Sequence, residues 1–161
     1  MRSWLAALPG GIDLLAQRTA AILPAKRAVL RGDLEHGARL FIDGLMGDGV
    51  FDRLPMSARQ RIMDNARRIG AEPTEIDTMG SEDISRSEAA TIQAPTLLLT
   101  GDESPPMFLL VSQELARYLP HVEHVQIRGA SHLLHVMQPQ AYNAVVLEFL
   151  ARRGGQGSSH V

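Results

Sequence analysis

Not one of the 161 residues is a cysteine. That absence removes disulfides, thiolate zinc sites and cysteine nucleophiles together, and leaves oxygen nucleophiles, carboxylates and histidine to carry any chemistry. An excess of charge is also missing: 16 Lys and Arg face 18 Asp and Glu, for a net charge of −2. This balance argues against a nucleic-acid or polybasic membrane binder. No apolar run approaches the roughly 18–20 residues needed to span a bilayer. The opening Trp4–Leu8 stretch is cut off by Pro9–Gly10–Gly11, too short for a signal-peptide core of about 7–15 residues. A cytoplasmic, non-membrane protein is the expectation. Hydrophobic residues, at 45%, are plentiful enough for one domain with a core of its own.

The chain divides near residue 90. Up to about residue 70, amphipathic helices are separated by glycine and proline. Leu14, Leu15, Thr19 and Ile22 recur at helical spacing, and Pro24 opens a new helix carrying Val29 and Leu30, because proline is tolerated in a first turn. After Gly32–Asp33, Leu34, Ala38, Phe41, Ile42 and Leu45 form an apolar stripe that stops where Gly44, Gly47 and Gly49 accumulate. A further helix starts after Leu54–Pro55, with Ser57 as N-cap and Ile62 and Ala66 inward. Residues 70–90 are polar and acidic, a loop with a helical turn near Ser85–Ala90.

Beyond residue 90 the period changes. Pro95–Thr100 is a short apolar run closed by Gly101, the pattern of a strand buried on both faces in a parallel sheet. Pro105–Pro106 opens a helix with Phe108, Val111, Leu115 and Tyr118 inward, ended by Pro120. Val122–Ile127 is a second strand stopped by Gly129. A last helix from near Pro139 places Tyr142, Val145, Val146, Phe149 and Leu150 on one face. Strand, helix, strand, helix makes a βαβα unit with a right-handed crossover.

These residues carry a resemblance. The run Ala94–Pro106, a helix ending Leu119–Pro120, a strand running into Gly129–Ala130–Ser131–His132, and a proline-started helix ending Glu148–Phe149–Leu150 together resemble the C-terminal end of the α/β-hydrolase family. The helices before them, with Gly32–Asp33, Phe41–Gly49, Phe51–Pro55 and Asp64–Asn65–Ala66, resemble the cap that family members insert ahead of the last two core strands. The likeness runs over about residues 15–152, and its order and spacing make it specific. It implies an α/β chain with an incomplete α/β-hydrolase-like fold: a helical cap with an acidic linker over 1–90, the βαβα part of the core over 91–153, and a flexible tail at 154–161.

The resemblance further implies that His132 is the general base of a Ser–His–acid triad. The local physics agrees, because open α/β sheets build sites at the C-terminal ends of their strands and imidazole, with a pKa near ~6.5, shuttles protons at neutral pH. The plainer alternative has His132 merely packing in a glycine turn. The acid is a weaker match. Its family place is the last residue of a Gly-x-x-Asp pattern, and Ser104 stands there. Asp102 or Glu103, in the same loop, could accept the His132 Nδ1–H, or the acid could come from an earlier strand end outside these residues. Asp102 could equally cap its own loop backbone.

A second absence decides more than the first. The family's nucleophile sits in Gly-x-Ser-x-Gly, and no serine here has glycine at both −2 and +2: Ser131 has only Gly129, and Ser159 only Gly157. No aspartate is flanked that way, no His-Gly oxyanion motif is present, and the strand-rich first half of the family fold is missing. The expectation is therefore hydrolysis of an ester, lactone or similar C–X bond in a small-molecule substrate once the fold is completed, with the chain inactive alone. Completion would come from an N-terminal hydrolase half or from a homodimer. An apolar strand left with an open edge is a pairing hazard, and a two-stranded sheet is marginal. The rival expectation is a non-catalytic small-molecule-binding or interaction protein derived from a hydrolase. Neither implies a cofactor.

Other groupings read as structural. His121 with His124 and His132 with His135 have the wrong spacing for a metal on a strand, only His135 could share a face with His132 if their loop were helical, and no carboxylates cluster beside them. Arg59, Arg61, Arg67 and Arg68 read as the solvated face of a helix. Met46, Met56, Met63, Met79, Met107 and Met137 are core packing or the lining of an apolar pocket. Met107 and Phe108 are the substrate-contact candidates.

Overall fold

Residues 2–71 and 84–154 are described in the computed structural model of the chain. The regular elements up to residue 71 are helical: α1 (Arg2–Ala6), α2 (Gly11–Leu30), α3 (Leu34–Met46), α4 (Val50–Arg53), α5 (Met56–Asp64) and a 3₁₀ helix at Ala66–Ala71. The acidic loop expected over 70–90 falls mostly on residues 72–83, and the tail on 155–161. Both, with Met79, lie outside the described residues.

Two helix starts differ from the sequence reading. Pro24 does not open a helix but lies inside α2, which runs unbroken for 20 residues. An interior proline removes one backbone hydrogen bond and costs about 3 kcal/mol. Burial of Ile22, Ala25, Ala28 and Val29 carries the helix across it, with α2 packed against α3 and the 3₁₀ helix. Helix α5 begins ahead of Ser57, because the Pro55 carbonyl already accepts from the Ala58 and Arg59 amides. Asp33 caps α3 through its Oδ1, which accepts from the His36 amide at 3.2 Å.

The second half alternates. After α6 (Arg86–Ala90), which Ser85 and Glu88 close with a reciprocal capping box, come β1 (Thr96–Gly101), α7 (Pro106–Tyr118), β2 (Val122–Ile127), α8 (Leu134–Met137) and α9 (Pro139–Gly154). The strands are parallel and in register from Thr96 opposite Val122 to Gly101 opposite Ile127. Together with the helices this is an incomplete α/β fold. Leu97, Leu98 and Leu99 were expected to be buried on both faces, but they are half-buried, since β2 is the one strand beside β1 among the described residues. Leu150, expected inward, is 56% exposed.

Two cores meet at the segment after β2. In the helical layer Ala25, Val29, Ala38, Ile42, Phe51 and Leu54 form one cluster, and Leu133 and Val136 pack onto it. Against the sheet, Ile127, Ala130 and Leu134 form the other, with Leu99 and Tyr142. Successive residues 133 and 134 thus face opposite cores. A further tie joins the N-terminus to α7. The buried Trp4 donates its indole N–H to the Ile84 carbonyl at 2.7 Å and meets the Tyr118 ring edge-on. The Arg86 guanidinium lies over both rings and bonds the buried Glu114, which Arg117 also reaches. Among the described residues no helix is long and apolar enough to cross a membrane.

Candidate functional site

The loops that leave β1 and β2 are laced together before any side chain acts. The Asp102 amide donates to the Ile127 carbonyl at 3.1 Å, and the Glu103 amide to the Ala130 carbonyl at 3.0 Å. Gly101 permits this approach: a Cβ there would lie 2.0 Å from the Ala130 carbonyl oxygen. Gly129 turns the chain out of β2 at φ 66°, a left-handed conformation that glycine adopts without strain. Its amide donates to Asp102 Oδ1 at 2.7 Å.

That framework presents His132 three residues later. The residue is exposed overall, but one ring face is covered, stacked on Phe108 with centroids 3.7 Å apart and planes 9° apart. Phe108 stands in the first turn of α7, after the Pro105–Pro106 start that the sequence marks. Burial of the ring, followed by its electrostatic interaction with nearby His135, holds the His132 pKa below the ordinary histidine value. At neutral pH the ring is then neutral, with one nitrogen free to accept a proton. No hydrogen bond to that ring forms among the described residues.

The carboxylate expected beside His132 is elsewhere. Asp102 gives its Oδ1 to the Gly129 amide, because its own amide is bonded to Ile127 and directs the side chain across to the turn. It holds the loop that carries His132, and among the described residues it makes no hydrogen bond to the ring. Glu103 is exposed. Ser104, in the place of the family's acid, is buried, as is Ser131 beside the histidine, and neither hydroxyl has a hydrogen-bond partner among the described residues.

A cavity of about 380 Å³ opens between the helical layer and the segment following His132, within the usual range for ligand pockets. Its core-side wall is Leu133, His135 and Val136; α3, α5 and the 3₁₀ helix supply the rest, including Phe41, Ile62, Arg61 and Arg68. Neither Met107 nor Phe108 lines it. Both sit on α7, and Phe108 serves His132 instead. Met46 and Met63 pack onto the helical core. The arginines that read as a solvated face include two at this cavity. A signal existed, since Arg61 follows Ala58 by three residues and precedes Asn65 by four, the face on which Ile62 was already placed.

The histidines divide by role. His124 Nε2 shares a hydrogen bond with the Thr100 hydroxyl at 3.1 Å across the two strands, and the ring of His135 meets Tyr142 edge-on. Among the described residues no three His, Asp or Glu side chains converge as a metal site would require.

No family model matches the chain. Over 65 residues it is 34% identical to the putative carbamate hydrolase RutD of Pantoea ananatis (strain LMG 20103), a stretch that makes up 40% of this chain and 24% of that protein. In three dimensions it is similar to the solved structure of MenH from S. aureus, with a TM-score of 0.62 at 17% identity, over 88% of this chain and 53% of the other. The chain spans about a quarter of the curated relative and about half of the solved one. The parallel strand pair and these two likenesses show an incomplete α/β fold similar to part of an α/β hydrolase.

Proposed function

We propose that this chain supplies the cap and the general base of a hydrolase acting on an ester, lactone or similar C–X bond of a small molecule. The observation that carries the reading is His132 itself: an exposed imidazole in the loop that leaves the C-terminal end of a parallel strand, one face stacked on Phe108. The nucleophile is a serine from a Gly-x-Ser-x-Gly segment outside these 161 residues. Its hydroxyl oxygen would attack the substrate carbonyl while His132 takes the proton, and His132 would return that proton to the leaving group. Water, deprotonated by the same ring, would then release the acid product and restore the serine. Asp102 acts as a positioning residue through the Gly129 turn. An N-terminal hydrolase half is the partner this chemistry asks for, because a second copy would duplicate His132 without adding a nucleophile. The setting is cytoplasmic, and no cofactor enters the reaction.

The test is to read the coding sequence ahead of Met1, express the extended chain where it carries a Gly-x-Ser-x-Gly segment, and assay 4-nitrophenyl esters and lactones. His132→Ala is expected to lower turnover by roughly 10³-fold, the range for loss of a general base. Undiminished turnover in that variant would remove His132 from the mechanism. The apolar cavity beside a chain without its own nucleophile favours a second reading, a small-molecule-binding protein derived from a hydrolase. Absence of any nucleophile-bearing segment in the coding context, with ligand binding by the 161-residue chain, would select it.

A further inference from the structure

We infer that the cavity between α3, α5, the 3₁₀ helix and α8 recognises a small molecule with an apolar body and a carboxylate, the carboxylate being held by Arg61 and Arg68. This names the substrate class for the hydrolase reading, and it rests on that reading only in taking the bound molecule to be the reactant.

Three features carry the inference. The first is the lining. Phe41, Ile42, Leu54, Ile62, Ile69 and Val136 give walls suited to an apolar body, and the polar side chains at the cavity are Arg61, Arg68, Asn65 and His135. Ligand sites of this size commonly combine apolar walls with a few placed polar groups. The second is charge. Two guanidiniums line the cavity and, among the described residues, no aspartate or glutamate does, so the local field there favours an anion. Both arginines lack an ion pair or hydrogen bond among the described residues. By contrast, four other arginines are held in ion pairs: Arg39 with Asp52, Arg86 and Arg117 with Glu114, and Arg152 with Glu123 and Glu148. The third is helix geometry. Ala58, Arg61, Ile62 and Asn65 occupy one face of the α5 segment, and Arg68 follows Asn65 by three residues in the 3₁₀ helix. The Asn65 side-chain Nδ2 donates to the Arg61 carbonyl at 2.8 Å, which fixes the helix end between the two arginines.

A carboxylate fits this arrangement better than a phosphate. A planar fork of N–H donors matches the two carboxylate oxygens. A phosphate brings more charge, and more desolvation, to a space whose walls are mostly apolar. The core-side wall begins at Leu133, the residue after His132, so the cavity borders the segment that carries the proposed base.

The experiment is titration calorimetry of the 161-residue chain with 3-phenylpropanoate, the neutral 3-phenylpropan-1-ol and 3-phenylpropyl phosphate. The carboxylate should bind at least about tenfold more tightly than the alcohol, and the double variant Arg61→Gln/Arg68→Gln should erase that preference while leaving alcohol affinity unchanged. Arg67→Gln, an exposed neighbour outside the cavity lining, should change neither. Both cavity arginines are exposed, so the thermal melt of the double variant should match the parent. Equal binding of acid and alcohol, tighter binding of the phosphate, loss of the preference in Arg67→Gln, or no binding of any probe by the folded chain would each overturn the assignment. Binding needs no turnover. A silent ester assay therefore leaves this result standing, and failure to bind the acid leaves the His132 test intact.

Discussion

The His132 imidazole lies flat on the Phe108 ring, centroids 3.7 Å apart and planes inclined by 9°. Two segments far apart in the chain meet there, the proline-started α7 and the loop that leaves β2. The stack does for one face of the histidine what a carboxylate partner would do for its edge: it fixes the ring's orientation. Unlike a carboxylate, it removes water without adding negative charge, which favours the neutral ring.

The pH behaviour of His132 follows from that stack. In Phe108→Leu the ring face opens to water, and the His132 pKa should rise toward the ordinary value of ~6.5, read by an NMR titration of the imidazole protons. Because the folded pKa lies below the unfolded one, the unfolded chain takes up this proton first as pH falls. The stability this histidine leaves intact is fully present above ~6.5 and is lost as pH falls toward the folded value. Urea midpoints compared at about pH 8 and about pH 5 should fall for the parent, with a shallower fall in Phe108→Leu. A histidine pKa unmoved by the substitution would place the burial elsewhere.

Gly101 is the point where the two strand ends press together. A Cβ there would lie 2.0 Å from the Ala130 carbonyl oxygen and 2.7 Å from that of Ser131. Both are backbone atoms that no side-chain rotation can move. Gly101→Ala should therefore cost roughly 3 kcal/mol or more and shift the amide resonances of residues 129–132. Denaturant unfolding and a heteronuclear NMR map check the two parts separately. A variant as stable as the parent, with the histidine loop unmoved, would contradict the packing of these loops.

Glu114 is 5% exposed and accepts from both Arg86 and Arg117. Because Arg86 also covers Trp4 and Tyr118, the carboxylate anchors the N-terminal helix to α7. Removing it in Glu114→Ala should lower stability by about 2 kcal/mol, less than for a fully buried pair since both arginines keep contact with water. A double-mutant cycle with Arg86→Ala should return a coupling of about 1 kcal/mol. Strict additivity would reduce the contact to a surface pair.

Much of this arrangement is legible in the sequence because the second half speaks in short, well-punctuated units. Pro105–Pro106, Pro120, Gly129 and Pro139 mark boundaries that backbone chemistry alone dictates, so both strands and α7 fall where their patterns put them. Pro24 misleads for the opposite reason. Its local signal says boundary, and only burial of α2 against the elements around it overrides that. The place of His132 could be read from its position after a strand, but its Phe108 partner could not, since nothing local ties residue 108 to residue 132. Asp102 has the residue type that two roles require, and the hydrogen bond to Gly129 depends on a loop-to-loop approach that the sequence does not encode locally. The cavity was hidden by charge: Arg61 on α5 and Arg68 on the 3₁₀ helix look like solvent residues until both are seen to border an apolar space.

The open edge of β1 sets the last prediction. Its partner is β2 on one side, and no strand lies on the other among the described residues, although Leu97, Leu98 and Leu99 make it an apolar strand. Leu147 on α9 is 65% exposed and Leu150 is 56% exposed, adding apolar surface in the same half. Unpaired backbone groups beside such side chains form a template for another strand. The 161-residue chain, purified alone, should sediment as a concentration-dependent mixture and melt at a temperature that rises with protein concentration. Adding a nucleophile-bearing N-terminal half should raise the melting temperature, remove its concentration dependence and suppress self-association, since a neighbouring strand would then occupy the edge. Analytical ultracentrifugation and calorimetry across a tenfold concentration range measure both effects. A monodisperse monomer with one cooperative transition would mean that the helical layer and the two flanking helices already cover enough of the sheet, and that the edge of β1 is tolerated as it stands.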